Sequence, residues 1–238
     1  MSRESFTSLD EPQEVRLANA LLTVAKQPLP GATKTRLSPP LSAAQSAALY
    51  ESFLLDTLEL IRRVPGVDKG LVYLPADAFS YFQRLAPDFD LLPQEGDRLG
   101  ERLYNVLQRY LASGYRRVVV MDSDSPTLPG EYLVAAFTAL TAFDVVLGPC
   151  EDGGYYLIGL SRPVERLLLE VEMSTPRVLE DTLALAEAEG LRVRLLPTWY
   201  DIDDAAGLTR LQGDLGSVSP GVALATRHTL QTFNGLFT

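Results

Sequence analysis

The chain has 238 residues, enough for one large α/β domain or two small ones. Its formal net charge of -10 lacks the basic footprint of a nucleic-acid or anionic-membrane binder, and no run approaches the ~18 apolar residues of a membrane span. A single cysteine rules out an intrachain disulfide and fits a reducing cytoplasm, while a single histidine, His228, argues against a Ser-His-Asp triad or a His-rich zinc site.

Residues 1–15 are polar and without the apolar core of a signal peptide, so a mobile leader is expected there. Residues 17–25 predict a strand, followed by the loop 26–40 with its prolines and three cations. Ser42 is placed to cap a long helix reaching Arg63, along which Leu49, Phe53, Leu54, Leu58 and Ile61 form an apolar stripe. A strand over 67–75, a short helix over 76–86 and a short strand near 89–92 come next. A helix over 97–113 is closed by Gly114. The run 116–121 predicts a strand buried on both faces, because valines and a methionine fill it without alternation. A helix over 130–141, a strand over 144–149 and a second strand over Tyr155–Leu160 follow, the last two separated by a Gly-Gly turn. A helix over Thr175–Glu189, a strand over 192–197 and a short helix from Asp204 complete the regular pattern, which weakens from Gln212 onward. This rhythm predicts one parallel or mixed sheet with helices on both faces, joined by right-handed crossovers.

Chemistry collects at the carboxyl ends of the strands, where open α/β sheets bind ligands. The first loop offers Lys26, Lys34 and Arg36 to phosphate, beside prolines that stiffen it and a glycine that lets a ligand approach. It is neither a Walker A loop nor a Gly-x-Gly-x-x-Gly fingerprint. After the 116–121 strand stand Asp122 and Asp124, and after the last strand Asp201, Asp203 and Asp204. Each cluster could merely cap a turn or helix; together they could hold one Mg²⁺ or Mn²⁺ that keeps waters and substrate phosphates. The turn Glu151–Tyr156 brings Asp152 and a Gly-Gly pair beside a possible ligand, and Gln94-Glu95-Gly96 is a similar loop on the same edge. Cys150 ends an apolar run and reads as a small buried thiol rather than a nucleophile.

Six segments, LLTVAKQPLPGATKTRL, QEGDRLGERL, MDSDSPTLP, VLGPCEDGGYYLIGL, MSTPRVLEDT and LLPTWYDIDDAAGL, occur in that order across residues 17–212. With them the chain resembles a bacterial family of glycosyltransferase-like proteins, long filed as a domain of unknown function, within the nucleotide-diphospho-sugar transferase superfamily of GT-A fold. The resemblance implies a single GT-A-like, Rossmann-like α/β/α sandwich over residues 16–212 with a mostly parallel mixed sheet. It leaves 213–238 as a tail that packs on the domain or is partly disordered. It further implies that Lys26, Lys34 and Arg36 sit near phosphate and that Gln94, Gly96 and Arg102 lie near the base or ribose. Asp124 and Asp203 would hold the metal, with Asp122 as an accessory ligand. Asp152, Gly153, Gly154 and Tyr155 would line the sugar or acceptor side, with Asp152 as base or hydroxyl orienter, and Ser174 and Thr175 would belong to the substrate- or nucleotide-binding set.

Three positions depart from the family's habit: Asp122 stands where glycine is common, Arg98 where aspartate is frequent and Met173 where tryptophan is usual. The activity implied is metal-dependent glycosyl transfer from a nucleotide-sugar donor to an unspecified small-molecule acceptor. A guanylyltransferase-like nucleotidyltransferase acting on a phosphorylated small molecule is the second expectation. A non-catalytic nucleotide-binding protein is the third.

Overall fold

The computed structural model describes residues 18–233; the leader expected over 1–15 lies outside them. Among the described residues seven strands form one sheet in the order β3-β2-β1-β4-β6-β5-β7, in which β6 alone runs antiparallel to its neighbours. They are β1 Asn19–Lys26, β2 Asp68–Leu74, β3 Asp90–Pro93, β4 Arg117–Met121, β5 Val145–Pro149, β6 Tyr155–Leu160 and β7 Val193–Leu195. The helices are α1 Ala43–Arg62, α2 Phe79–Leu85, α3 Leu99–Ala112, α4 Gly130–Ala139, α5 Arg166–Leu169, α6 Val178–Ala188, α7 Ala205–Leu215 and α8 Leu224–Thr232. A single 3₁₀ turn, Thr35–Leu37, interrupts the first loop. Among the described residues no helix is long and apolar enough to cross a membrane.

Both faces of the sheet are covered, and the strands alternate between two cores. On one face Leu21, Leu71, Val119, Val146 and Leu157 pack with Leu54, Leu58 and Ile61 of α1, Phe82 of α2 and Leu133 of α4. On the other, Ala20, Leu22, Val118, Val120 and Ile158 pack with Leu103 and Leu107 of α3, Leu167 of α5 and Ala186 of α6. Burying each such Leu or Phe side chain contributes roughly 1.5–3 kcal/mol, so the apolar runs leave the strands little choice of place. The helix α1 begins with a capping box between Ser42 and Gln45.

The C-terminal part departs from the sequence pattern. A boundary at residue 212 would cut through α7, and α8 forms where that pattern weakens. Leu208, Leu211, Leu215, Ala223 and Phe233 join Leu37, Leu49, Phe53 and Ile202 in a third cluster against α1. The start of α8 is capped from outside: Asp56 of α1 accepts the Ala225 and Thr226 N–H groups, each at 2.9 Å. Local propensity could not announce that cap, since its carboxylate comes from a distant helix. The helix expected from Thr175 begins at Val178 because Thr175 turns its hydroxyl to the Arg177 N–H.

Candidate functional site

Strand direction gathers the motifs. The parallel pairing of β1 with β4 sets Thr23 opposite Met121, so the loop after Lys26 and the residues after Met121 leave the sheet at one edge. The antiparallel β6 enters at that edge, and Asp122 N–H donates to the Tyr156 carbonyl at 2.9 Å, which places Asp152–Tyr155 beside Asp122–Asp124. A parallel bridge between Cys150 and Trp199 brings the 199–203 segment to the same edge. Backbone and side-chain bonds then fasten the two acidic motifs to each other: Ile202 N–H donates to the Asp124 carbonyl and Ser125 Oγ to the Tyr200 carbonyl.

Two cavities open here. The first, of about 490 Å³, is lined by Lys26, Lys34, Arg36, Gln94, Arg102 and Ser174 together with Asp122, Asp124 and Asp203. The second, of about 530 Å³, shares the three aspartates, Arg36 and Ser174 and adds Cys150, Asp152, Gly154, Tyr155, Met173, Thr175 and Asp201. The acidic motifs therefore form the partition between a basic cleft and an acidic one.

Lys34 occupies the centre of that partition. Its side chain is 7% exposed, and Nζ lies 2.7 Å from Asp124 Oδ2 and 2.6 Å from Asp203 Oδ1. Burial works against its charge, but the two carboxylates outweigh burial and raise its pKa. Burial likewise pushes Asp203 up, yet Lys34 and Arg36 prevail and hold it below the usual carboxylate value. Arg36 completes the group by pairing with Asp203. Asp124 Oδ1 is shut from solvent and has no hydrogen-bond partner among the described residues.

Asp122 has a different part. One carboxylate oxygen accepts Ser125 Oγ at 2.8 Å, and the other is sealed without a partner. Burial and then the charge of Asp124 raise its pKa well above the carboxylate range. To serve as the accessory ligand expected of it, Asp122 would have to give up this bond to its own turn. Asp204 leaves the site altogether and caps α7 through the Gly207 N–H at 2.9 Å.

The remaining positions divide into free and committed groups. Lys26 lines the first cavity and has no ion pair among the described residues. Arg102 spends its guanidinium on the Gly96 and Asp97 carbonyls, both at 2.8 Å, and so shapes the Gly96 loop. Gly96 itself has φ 126°. The Gln94 amide donates to the Val72 and Ala25 carbonyls at the ends of β2 and β1. Arg98 is exposed and pairs with Glu101. Asp152 accepts the Gly154 N–H at 2.8 Å, and Tyr155 donates to Met173 Sδ at 3.6 Å. Gly153 is required by packing: its φ is 91°, and a Cβ there would collide with the Pro176 carbonyl. Ser174 holds a left-handed backbone at φ 65° where the two cavities meet.

Two residues, Tyr50 and Asp201, matter more here than their sequence context suggests. Tyr50 accepts the Lys26 N–H and lies 3.0 Å from Ser123 Oγ, tying the first loop to the acidic motif. Burial and the Asp124 charge push its hydroxyl up to about 12. Its one signal in the sequence is its place beside the apolar stripe of α1. Asp201, held at about 6 by burial and by Asp203, joins Asp152 and Cys150 in a group whose ligand atoms all lie within 4.8 Å of one another. Cys150 is buried, and burial with the surrounding acids raises its pKa, which suits an inert thiol.

Residues 57–175 match the family described as "Uncharacterized protein conserved in bacteria (DUF2064)". A crystal structure from Desulfovibrio desulfuricans G20, described as a "putative nucleotide-diphospho-sugar transferase", is 31% identical with a TM-score of 0.87, over 92% of this chain and 96% of that one. A CMP:2-keto-3-deoxy-manno-octonic acid synthetase complexed with CTP has the same fold at 13% identity and a TM-score of 0.55, over 84% of this chain and 98% of its own. A Mycobacterium tuberculosis H37Rv protein in complex with manganese is 19% identical with a TM-score of 0.50, over 84% of this chain and 99% of its own. No curated protein matches the chain in sequence.

Proposed function

This chain belongs to the bacterial DUF2064 family, and on that premise we propose that it is a metal-dependent transferase moving a sugar from a nucleotide-diphospho-sugar to a small acceptor. The observation that carries the reading is the meeting of Lys26, Lys34 and Arg36 with Asp124 and Asp203 in one cleft at the carboxyl edge of the sheet. Cations on a stiff loop suit a diphosphate, and the 31% identical relative bears a matching description.

The residues also fit a divalent ion. Asp124 and Asp203 already converge on one positive charge, the Lys34 ammonium, and Asp124 keeps an unpartnered oxygen. An all-oxygen pair suits Mg²⁺ or Mn²⁺, and a relative of the same fold was solved with manganese. Bound by these two carboxylates, the ion would neutralise charge on the departing diphosphate.

Lys26 and Arg36 then hold the donor's phosphates, and the Arg102 clamp fixes the Gly96 loop beside them. The acceptor hydroxyl oxygen bonds to the anomeric carbon while the bond from that carbon to the phosphate oxygen breaks. The nucleoside diphosphate leaves with the electron pair. In an inverting reaction the hydroxyl proton passes to a carboxylate of the Asp152–Asp201 pair, and burial with the charge of Asp203 holds Asp201 at about 6, near the working pH.

A second reading, nucleotidyl transfer, is favoured by the CTP-bound synthetase of the same fold. There the acceptor would attack the α-phosphorus of a triphosphate and pyrophosphate would leave. The full-length protein incubated with Mn²⁺ and a panel of nucleotide sugars or nucleoside triphosphates distinguishes the two. Release of nucleoside diphosphate is the expected result; pyrophosphate would transfer the assignment to the second reading. Asp124→Ala should abolish metal-dependent nucleotide binding, and unchanged binding in that variant would remove the metal assignment.

A further inference from the structure

The cavity beside Asp152 has a charge opposite to that of its neighbour. Leu103, Tyr155, Met173 and Val178 give it an apolar wall, and Asp152 and Asp201 face that wall together with Cys150. No lysine or histidine is among its lining residues, and its one arginine, Arg36, is already paired with Asp203. Asp201 accepts no hydrogen bond from the described residues. Cys150, only 8% exposed, keeps Sγ within 4.8 Å of the Asp152 and Asp201 oxygens. These are polar groups placed for a ligand, and the cavity's one cation, Arg36, is shared with the phosphate-binding cleft beside it.

We propose that this cavity is the acceptor half-site and that its occupant bears hydroxyl groups and an apolar face but neither phosphate nor carboxylate. The proposal rests on the transferase reading for its neighbour, the donor cleft. Hydroxyl groups donate to the Asp152 and Asp201 carboxylates, and the same carboxylates receive the proton when the acceptor oxygen bonds to carbon. An apolar face covers Leu103, Met173 and Val178 and gains by leaving water. A phosphate or carboxylate would instead meet the negative charges of Asp152 and Asp201. The phosphorylated acceptor that nucleotidyl transfer would need is the kind of molecule this cavity rejects.

The test is calorimetric and needs no turnover. The full-length protein is first titrated with a nucleoside diphosphate in Mn²⁺. The complex is then titrated with phenyl glucoside and methyl glucoside, and in parallel with glucose 6-phosphate and glucuronate. The uncharged glycosides should bind at least tenfold more tightly than the anionic sugars, with phenyl ahead of methyl glucoside. Asp152→Asn should narrow the gap between the two classes severalfold. Equal or tighter binding of the anionic sugars overturns the proposal. Binding of neither class overturns it as well. The first titration keeps the two failures apart: absent diphosphate binding fails the transferase reading, whereas normal diphosphate binding with an anionic preference fails the acceptor assignment alone.

Discussion

Lys34 Nζ lies 2.7 Å from Asp124 Oδ2, in the position where an ion held by Asp124 and Asp203 would also have to place its charge. The ammonium and a divalent cation compete for the same oxygens, and a ligand phosphate offers Lys34 another counter-charge. Metal and nucleotide should therefore each raise the other's affinity. Lys34→Gln is expected to bind Mn²⁺ alone more tightly than the wild type, by roughly tenfold or more, and to bind nucleoside diphosphate more weakly. Electron paramagnetic resonance of free Mn²⁺ measures the first and calorimetry the second. Weaker Mn²⁺ binding by the variant would show that Lys34 organises the carboxylates rather than competing for them.

Asp201 gives the protein a pH signature. Its folded value of about 6 lies above that of an unfolded aspartate, so the native state binds the extra proton between about pH 4 and 6. Stability from this group is present at low pH and is lost as pH rises through 6. Asp201→Asn should therefore stabilise the protein at pH 8, on the order of 1–2 kcal/mol after allowance for solvent screening, and have little effect at pH 4. Thermal melts of both proteins at the two pH values check it; equal shifts at both would contradict the assignment.

The adjacent glycines 153 and 154 should respond differently to one methyl group. Gly153 combines φ 91° with a Cβ position blocked by the Pro176 carbonyl, whereas at Gly154 the nearest atom is Asp152 Oδ1 at 3.1 Å, the end of an exposed side chain. Gly153→Ala is expected to cost roughly 2–4 kcal/mol and to move the 173–178 segment, and Gly154→Ala less than about 1 kcal/mol. Urea unfolding curves give both values, and similar costs at the two positions would refute this account.

Asp56 supplies two acceptor oxygens to the start of α8, whose own first residues offer no side-chain cap. Asp56→Ala should lower stability by about 1–2 kcal/mol and loosen α8 before the sheet. Hydrogen exchange should then show faster exchange at Ala225 and Thr226, with β1 and β4 unchanged.

Much of this protein was legible along the chain. Unbroken apolar runs such as Val118–Met121 can only be satisfied between two layers, and the stripe of α1 fixes which side of that helix is buried. The direction of parallel strands then places Lys26, Asp124 and Asp203 on one edge, and the six ordered motifs mark the family. Tertiary structure decided what each side chain does there. Asp124 and Asp203 meet on Lys34 while Asp122 turns to Ser125, although all three carry the same functional group. Arg102 and Gln94 are drawn to backbone carbonyls, Asp204 becomes a cap, and Asp56 ties α8 to α1. The physical reason is range. Burial and strand direction follow from patterns of neighbours in sequence, whereas the partner of a charge is whichever opposite charge or dipole the finished fold brings within about 3 Å.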